Sequence, residues 1–107
     1  VRRLRGTPLR VQFDTANPIV CRYDALAVLD EVADLVVCIH TNDADTPGEF
    51  KFVPIGTGIA PIAETYRRLR KRGYDGWISI EEASRTGEAG FRQAVSYVRK
   101  AWAEAAP

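Results

Sequence analysis

Methionine is missing from the 107 residues, histidine occurs once and cysteine only twice. Cys21 and Cys38 have no CxxC spacing, which excludes a cysteine-rich zinc module and a disulfide framework. Cys38 lies inside an apolar run and reads as a small buried hydrophobe, in keeping with a reducing cytoplasm. An excess of one charge is also lacking: 15 basic residues stand against 14 acidic ones, for a formal balance of +1. That balance calls for neither nucleic acid nor an anionic membrane as a partner. No apolar stretch approaches the roughly 20 residues of a membrane span, and no signal peptide opens the chain. At 46% hydrophobic and 27% charged residues, the chain reads as one globular unit. It starts at Val1 and holds no methionine, so we expect an excised or incomplete piece of a longer protein.

What is present is a repeated placement. The apolar run Leu9 to Phe13 ends at Asp14, Leu35 to Ile39 ends at His40, and Trp77 to Ile80 ends at Glu81. Between them the periodicity predicts helices, from about Asp24 to Ala33 and from Ile62 to Arg72. Arg70, Lys71 and Arg72 complement the dipole of the second, and Gly73 stops it. A final amphipathic helix carries Phe91, Ala94, Val95, Val98 and Trp102. Thr15 to Pro18 reads as a turn, and Thr41 to Pro61 as a long polar loop of the kind that often carries function. The order is βαβαβα, an α/β pattern that implies parallel strands and right-handed crossovers.

Alternation sharpens this. If Asp14, His40 and Glu81 share one face of the sheet, Gln12, Cys38 and Ser79 lie there too. The other face receives Val11, Phe13, Val37, Ile39, Ile78 and Ile80. Small and polar on one side, large and apolar on the other, this is the pattern of a barrel wall whose interior turns polar at its catalytic end.

Each candidate has an ordinary reading beside the functional one. A lone strand-end histidine is commonly a hydrogen-bonded structural residue, and Asp14 can serve an Asx turn. Glu81 and Glu82 are adjacent, so only one of them faces inward. The spacing favours function: 26 residues from 14 to 40 and 41 from 40 to 81 each fit one βα unit plus loop. Asn42 and Asp43 read equally as site contacts or as loop caps. Lys51 could meet an anionic or hydroxylated substrate, although an exposed loop lysine is the default. Gly56-Thr57-Gly58 is too short for a phosphate cradle and reads as a tight turn. The arginines between 67 and 72, and Arg2, Arg3 and Arg5, read as solvated surface.

Four motifs, in order, are Phe13-Asp14-Thr15-Ala16-Asn17, Ile39-His40-Thr41-Asn42-Asp43, Pro54-Ile55-Gly56-Thr57-Gly58 and Gly73-Tyr74-Asp75-Gly76-Trp77-Ile78-Ser79-Ile80-Glu81. Over nearly the whole chain they resemble the C-terminal part of the sugar phosphate isomerase/epimerase family, the xylose isomerase-like TIM barrels. The resemblance implies that residues 1–107 are the last three βα units of a partial TIM barrel. It implies a divalent ion (Mn, Mg, Co or Zn) held by Asp14, His40 and Glu81, with a fourth ligand, a glutamate, on an earlier strand. It further implies isomerisation or epimerisation of a sugar or sugar phosphate through an enediolate, with Glu81 also moving the proton. Asn17, Asp43 and Lys51 are the candidate substrate contacts. Two departures bear on the substrate: Asn17 stands where members often have histidine, and the arginine many carry after the histidine strand has no clear counterpart near Lys51 and Phe52.

Two other readings remain at this level. One is the related apurinic-site endonuclease branch, whose histidine-rich multi-zinc site a single His40 argues against. The other is a non-catalytic barrel segment that folds only with the rest of the barrel or with itself. Three strands leave two sheet edges open, so the isolated chain is expected to be weak or inactive as a catalyst.

Overall fold

The computed structural model describes residues 2–107. The alternating pattern folds as three βα units. Strand β1 (Val11–Asp14) leads into a one-turn helix α1 (Asn17–Val20), then α2 (Ala25–Val32). A short 3-10 turn, Ala33–Leu35, feeds strand β2 (Val36–Thr41), and helix α3 (Ile62–Lys71) follows the long loop. Strand β3 (Trp77–Ile80) and helix α4 (Gly87–Glu104) complete the chain. Asp24 starts α2 by accepting from the Leu26 and Ala27 amides at 3.0 and 3.1 Å. Gly73, at φ +80°, ends α3 as its amide and that of Tyr74 turn back to the Arg70 and Leu69 carbonyls.

The sheet is parallel, in the order β1-β2-β3, with Asp14 beside His40 and His40 beside Ser79. Helices cover one face. Phe13 and Ile39 point into a core completed by Leu29, Ile62, Tyr66, Leu69, Ala94 and Val98. Tyr66 is its centre: the ring meets Trp102 edge to face at 5.4 Å, and the hydroxyl pairs with Thr41 Oγ1 at 2.5 Å. Burial pushes its phenol up to about 12. Arg70 lies over Trp102 at 4.9 Å and donates to its carbonyl, so part of the arginine run is structural. The uncovered face carries Gln12, Ser79 and Trp77, the last 81% exposed.

Three expectations shift. The first strand begins at Val11, not Leu9, because Thr7 gathers the preceding turn, donating to the Leu4 carbonyl and accepting from the Leu9 amide. Val37 is 48% exposed while Val36 is buried, the reverse of simple alternation. The cause is local: β2 emerges from a 3-10 turn, and its register with β1 slips between Val11 and Gln12. On α4 the buried stripe is Gly90, Ala94, Val98 and Ala101, and Phe91 is 49% exposed. Small residues let the helix lie close to its neighbours, which turns Phe91 outward.

The loop from 42 to 61 is anchored from within. Asp43 is buried, and its two oxygens accept four backbone N–H groups: Ala44 and Ala60 at 2.9 and 3.0 Å, Gly56 and Gly58 at 2.9 Å each. Gly56 sits at φ +93° with Tyr97 against its back, where a Cβ would come within 2.6 Å of the ring. A Cβ on Gly58 would lie 2.4 Å from the Asp43 carboxylate and the Ala44 carbonyl. The Gly-Thr-Gly turn is thus an amide cradle already filled by the chain's own carboxylate. Asp43→Asn should therefore be nearly as damaging as Asp43→Ala, since an amide nitrogen would face two N–H donors. Each buried amide left unpaired costs about 1–3 kcal/mol. Denaturant melts should show that loss, and hydrogen exchange should speed at Gly56 and Gly58; an Asn variant as stable as the parent would contradict the cage.

Candidate metal centre

The parallel register brings the three strand ends together. Beyond the strands the ladder continues, with Thr15 N donating to the His40 carbonyl at 3.0 Å and Glu81 N to the Thr41 carbonyl at 2.9 Å. Asp14, His40 and Glu81 each offer a ligand atom, and those atoms lie within 4.8 Å of one another. His40 Nδ1 stands 3.0 Å from Glu81 Oε1 and 3.2 Å from Gln12 Nε2. With a proton on Nδ1 the ring donates to Glu81, and without one it accepts from Gln12, so the tautomer selects the partner.

Asp14 is fixed from behind. Its Oδ1 accepts from the Ala16 and Asn17 amides at 2.9 and 2.7 Å, an Asx turn that also starts α1. The structural and ligating readings of this residue therefore coexist, because a carboxylate has a second oxygen. Burial raises its carboxyl above the ordinary range, the two amide donors lower it, and Glu81 raises it again. Two carboxylates facing one imidazole leave the trio negative in either state of His40. A divalent cation fits that donor set, since oxygen and imidazole ligands at about 2.0–2.2 Å would neutralise both carboxylates at once.

The other candidate residues separate. Asn17 and Glu81 line one cleft of about 520 Å³ together with Asn42, Phe50, Phe52 and Ile80. Asn42 is buried and stitches the β1 and β2 ends together, its side-chain oxygen accepting from Ala16 N and its backbone pairing twice with Thr15 Oγ1. Asp43, expected as a substrate contact, is not presented to this cleft; both its oxygens are taken by the loop amides. Lys51 is exposed in a neighbouring cleft. Glu82 lines the same cleft as Glu81, its carboxylate accepting from Ser84 N at 3.1 Å. The aromatic pair Phe50 and Phe52, 5.1 Å apart edge to face, was not anticipated; its signal is the Phe-Lys-Phe alternation in an otherwise polar loop.

A parallel α/β sheet that forms part of a barrel, with ligating side chains gathered at the carboxyl ends of its strands, defines the class. A family model described as xylose isomerase-like TIM barrel matches residues 1–101, and the chain belongs to that family. It is 28% identical over 68 residues to fructoselysine 3-epimerase of Escherichia coli O157:H7, covering 64% of this chain and 24% of that protein. It is 38% identical over 53 residues to L-ribulose-5-phosphate 3-epimerase UlaE of Escherichia coli O1:K1, covering 50% and 18%. The matched stretch thus spans about a quarter or less of these relatives' length. In fold it is similar to a xylose isomerase domain protein from Planctomyces limnophilus, with a TM-score of 0.83 and 23% identity over 96% of this chain and 41% of that one. A second such protein, from Alicyclobacillus acidocaldarius, matches with a TM-score of 0.70 over 92% and 39%. Among the described residues, no helix is long and apolar enough to cross a membrane.

The raised Asp14 carboxyl makes a signed prediction. The folded state holds this proton more tightly than the unfolded chain, so stability falls as pH rises from the ordinary carboxylate range through the raised value. Asp14→Asn keeps the Asx-turn acceptor and should remove that part of the pH dependence. Adding Mn or Mg at neutral pH should stabilise the parent, not the variant, in thermal melts begun in chelator. Equal pH slopes for parent and variant would sink this account.

Proposed function

We propose that the chain supplies the last three βα units, and three of the metal ligands, of a divalent-metal-dependent sugar or sugar phosphate isomerase or epimerase. The observation that carries the reading is the convergence of Asp14, His40 and Glu81 from three strand ends. The relatives' names support it, one of them being for a 3-epimerase of L-ribulose 5-phosphate. A fourth ligand, a glutamate, would come from an earlier strand of the complete barrel.

A bound cation would polarise neighbouring sugar oxygens and stabilise the negative charge of an enediolate. The chain's own residues do the rest. Glu81 takes the proton from the carbon next to the carbonyl; the C–H electron pair becomes the enediolate double bond, and the carbonyl oxygen takes the charge. Returning the proton to the neighbouring carbon, while the other hydroxyl's proton passes to the charged oxygen, gives the isomer; a proton delivered to the opposite face by the partner glutamate of the complete barrel gives the epimer. His40 holds Glu81 in place when its Nδ1–H donates to Oε1, with Asp14 beside them. Asn17 meets a substrate hydroxyl at the cleft mouth. The isolated 107 residues expose the inner face and both sheet edges, so they should turn over substrate weakly or not at all.

In a complete-barrel protein carrying this segment, chelation should abolish isomerisation and re-addition of Mn, Mg, Co or Zn should restore it. His40→Ala and Glu81→Ala should weaken metal affinity about 10–100-fold or more. Glu81→Gln should lower kcat about 10²–10⁴-fold, the usual worth of a general base. Unchanged metal affinity in His40→Ala and Glu81→Ala would overturn the reading.

A further inference from the structure

Two clefts meet at the aromatic pair. The one holding Glu81 and Asn17 shares Phe50, Phe52 and Ala83 with a second, of about 630 Å³, lined also by Lys51, Ser84 and Arg85. We propose that this second cleft is an anion subsite that holds the phosphate of a sugar phosphate whose carbonyl end lies at Glu81. The inference rests on the functional reading above and narrows its substrate to the phosphorylated class.

Lys51 comes from the loop after β2 and Arg85 from the turn after β3, so two independent segments each deliver a cation to one cleft. Among the described residues neither has an ion-pair partner. The nearest acid along α4, Glu88, is held by Arg92 at 2.7 Å. Arg85 also sits at φ +62°, a left-handed conformation that glycine adopts without cost. The turn is built to hold it there: Ser84 N donates to Glu82, and the Ser84 and Thr86 hydroxyls pair at 2.7 Å. Arg22 shares that conformation at φ +61°; what distinguishes Arg85 is its place with Lys51 in the lining of this cleft. Planar guanidinium and flexible ammonium together suit a tetrahedral oxyanion. Between this cleft and Glu81, the Phe50–Phe52 pair offers an apolar wall to the C–H face of a carbon chain.

The test uses inorganic phosphate as probe, titrated calorimetrically into the complete-barrel protein in chelator, so that neither metal nor turnover enters. Phosphate should bind with a Kd in the millimolar range or below. Lys51→Ala and Arg85→Gly should each weaken it at least tenfold; the glycine variant also relieves the backbone, so it should be no less stable than the parent. Lys71→Ala, at the opposite end of the sheet, should leave binding unchanged. With Mn restored, ribose 5-phosphate should bind more tightly than phosphate alone. No phosphate binding, or binding that survives both substitutions, would overturn the subsite. Ribose 5-phosphate no tighter than phosphate would overturn its assignment to substrate. Failure of every sugar to react, with phosphate binding intact, would count against the enzymatic reading and not against this one.

Discussion

Parallel pairing at the carboxyl ends of the strands is the constraint on which the rest of this chain depends. Asp14, His40 and Glu81 are separated by tens of residues, and no local interaction could bring them together. The ladder does so, because Asp14 pairs with His40 and the hydrogen bonds run one residue beyond the regular strands to Thr15 and Glu81. Alternation then sends the three side chains to the uncovered face, while Phe13 and Ile39 enter the core on the other. A slip of one residue in any strand would reverse that assignment, burying a charge and exposing a large apolar side chain.

Core and site are tied through Thr41. It follows His40 in β2 and points to the opposite face, where its hydroxyl meets Tyr66 at the centre of the helical layer. Tyr66 in turn packs on Trp102 of α4. The strand end that carries the histidine is therefore held by packing; Asp14 and His40 stand on strands, and Glu81 one residue beyond β3. The cleft-lining residues Phe50 and Lys51 belong to a loop instead. That division is common where a rigid scaffold carries variable contacts.

The barrel wall was legible in the sequence because its signals are periodic. Trp77 to Ile80 has the same limits in pattern and in structure, and Ile62, Tyr66 and Leu69 are buried on α3 as their spacing implies. What escaped was set by contacts between distant segments. Phe91 falls on an apolar stripe, yet close helix packing is served by Gly90, Ala94 and Ala101 beside it. Val36 and Val37 exchange exposure because a 3-10 turn precedes the strand. At the site, the three strand ends could be picked out by type and spacing, whereas Asp43 could not be assigned: an aspartate after a histidine reads the same whether it faces a ligand or four amides. Arg85 left no mark in the sequence, since only the fold brings it into one cleft with Lys51.

The inward-facing Asp43 has a consequence for how such a protein can change. Its carboxylate fastens the loop at Ala44 and again at Gly56, Gly58 and Ala60, so the stretch between, Asp45 to Ile55, is clamped at both ends by bonds that involve none of its own side chains. Residues in the exposed part of that arc can be exchanged, or the arc lengthened, at small thermodynamic expense and without disturbing the strand ends. An inner clasp with a replaceable rim lets selectivity drift while the chemistry stays put, which is how one scaffold could come to serve many related sugars.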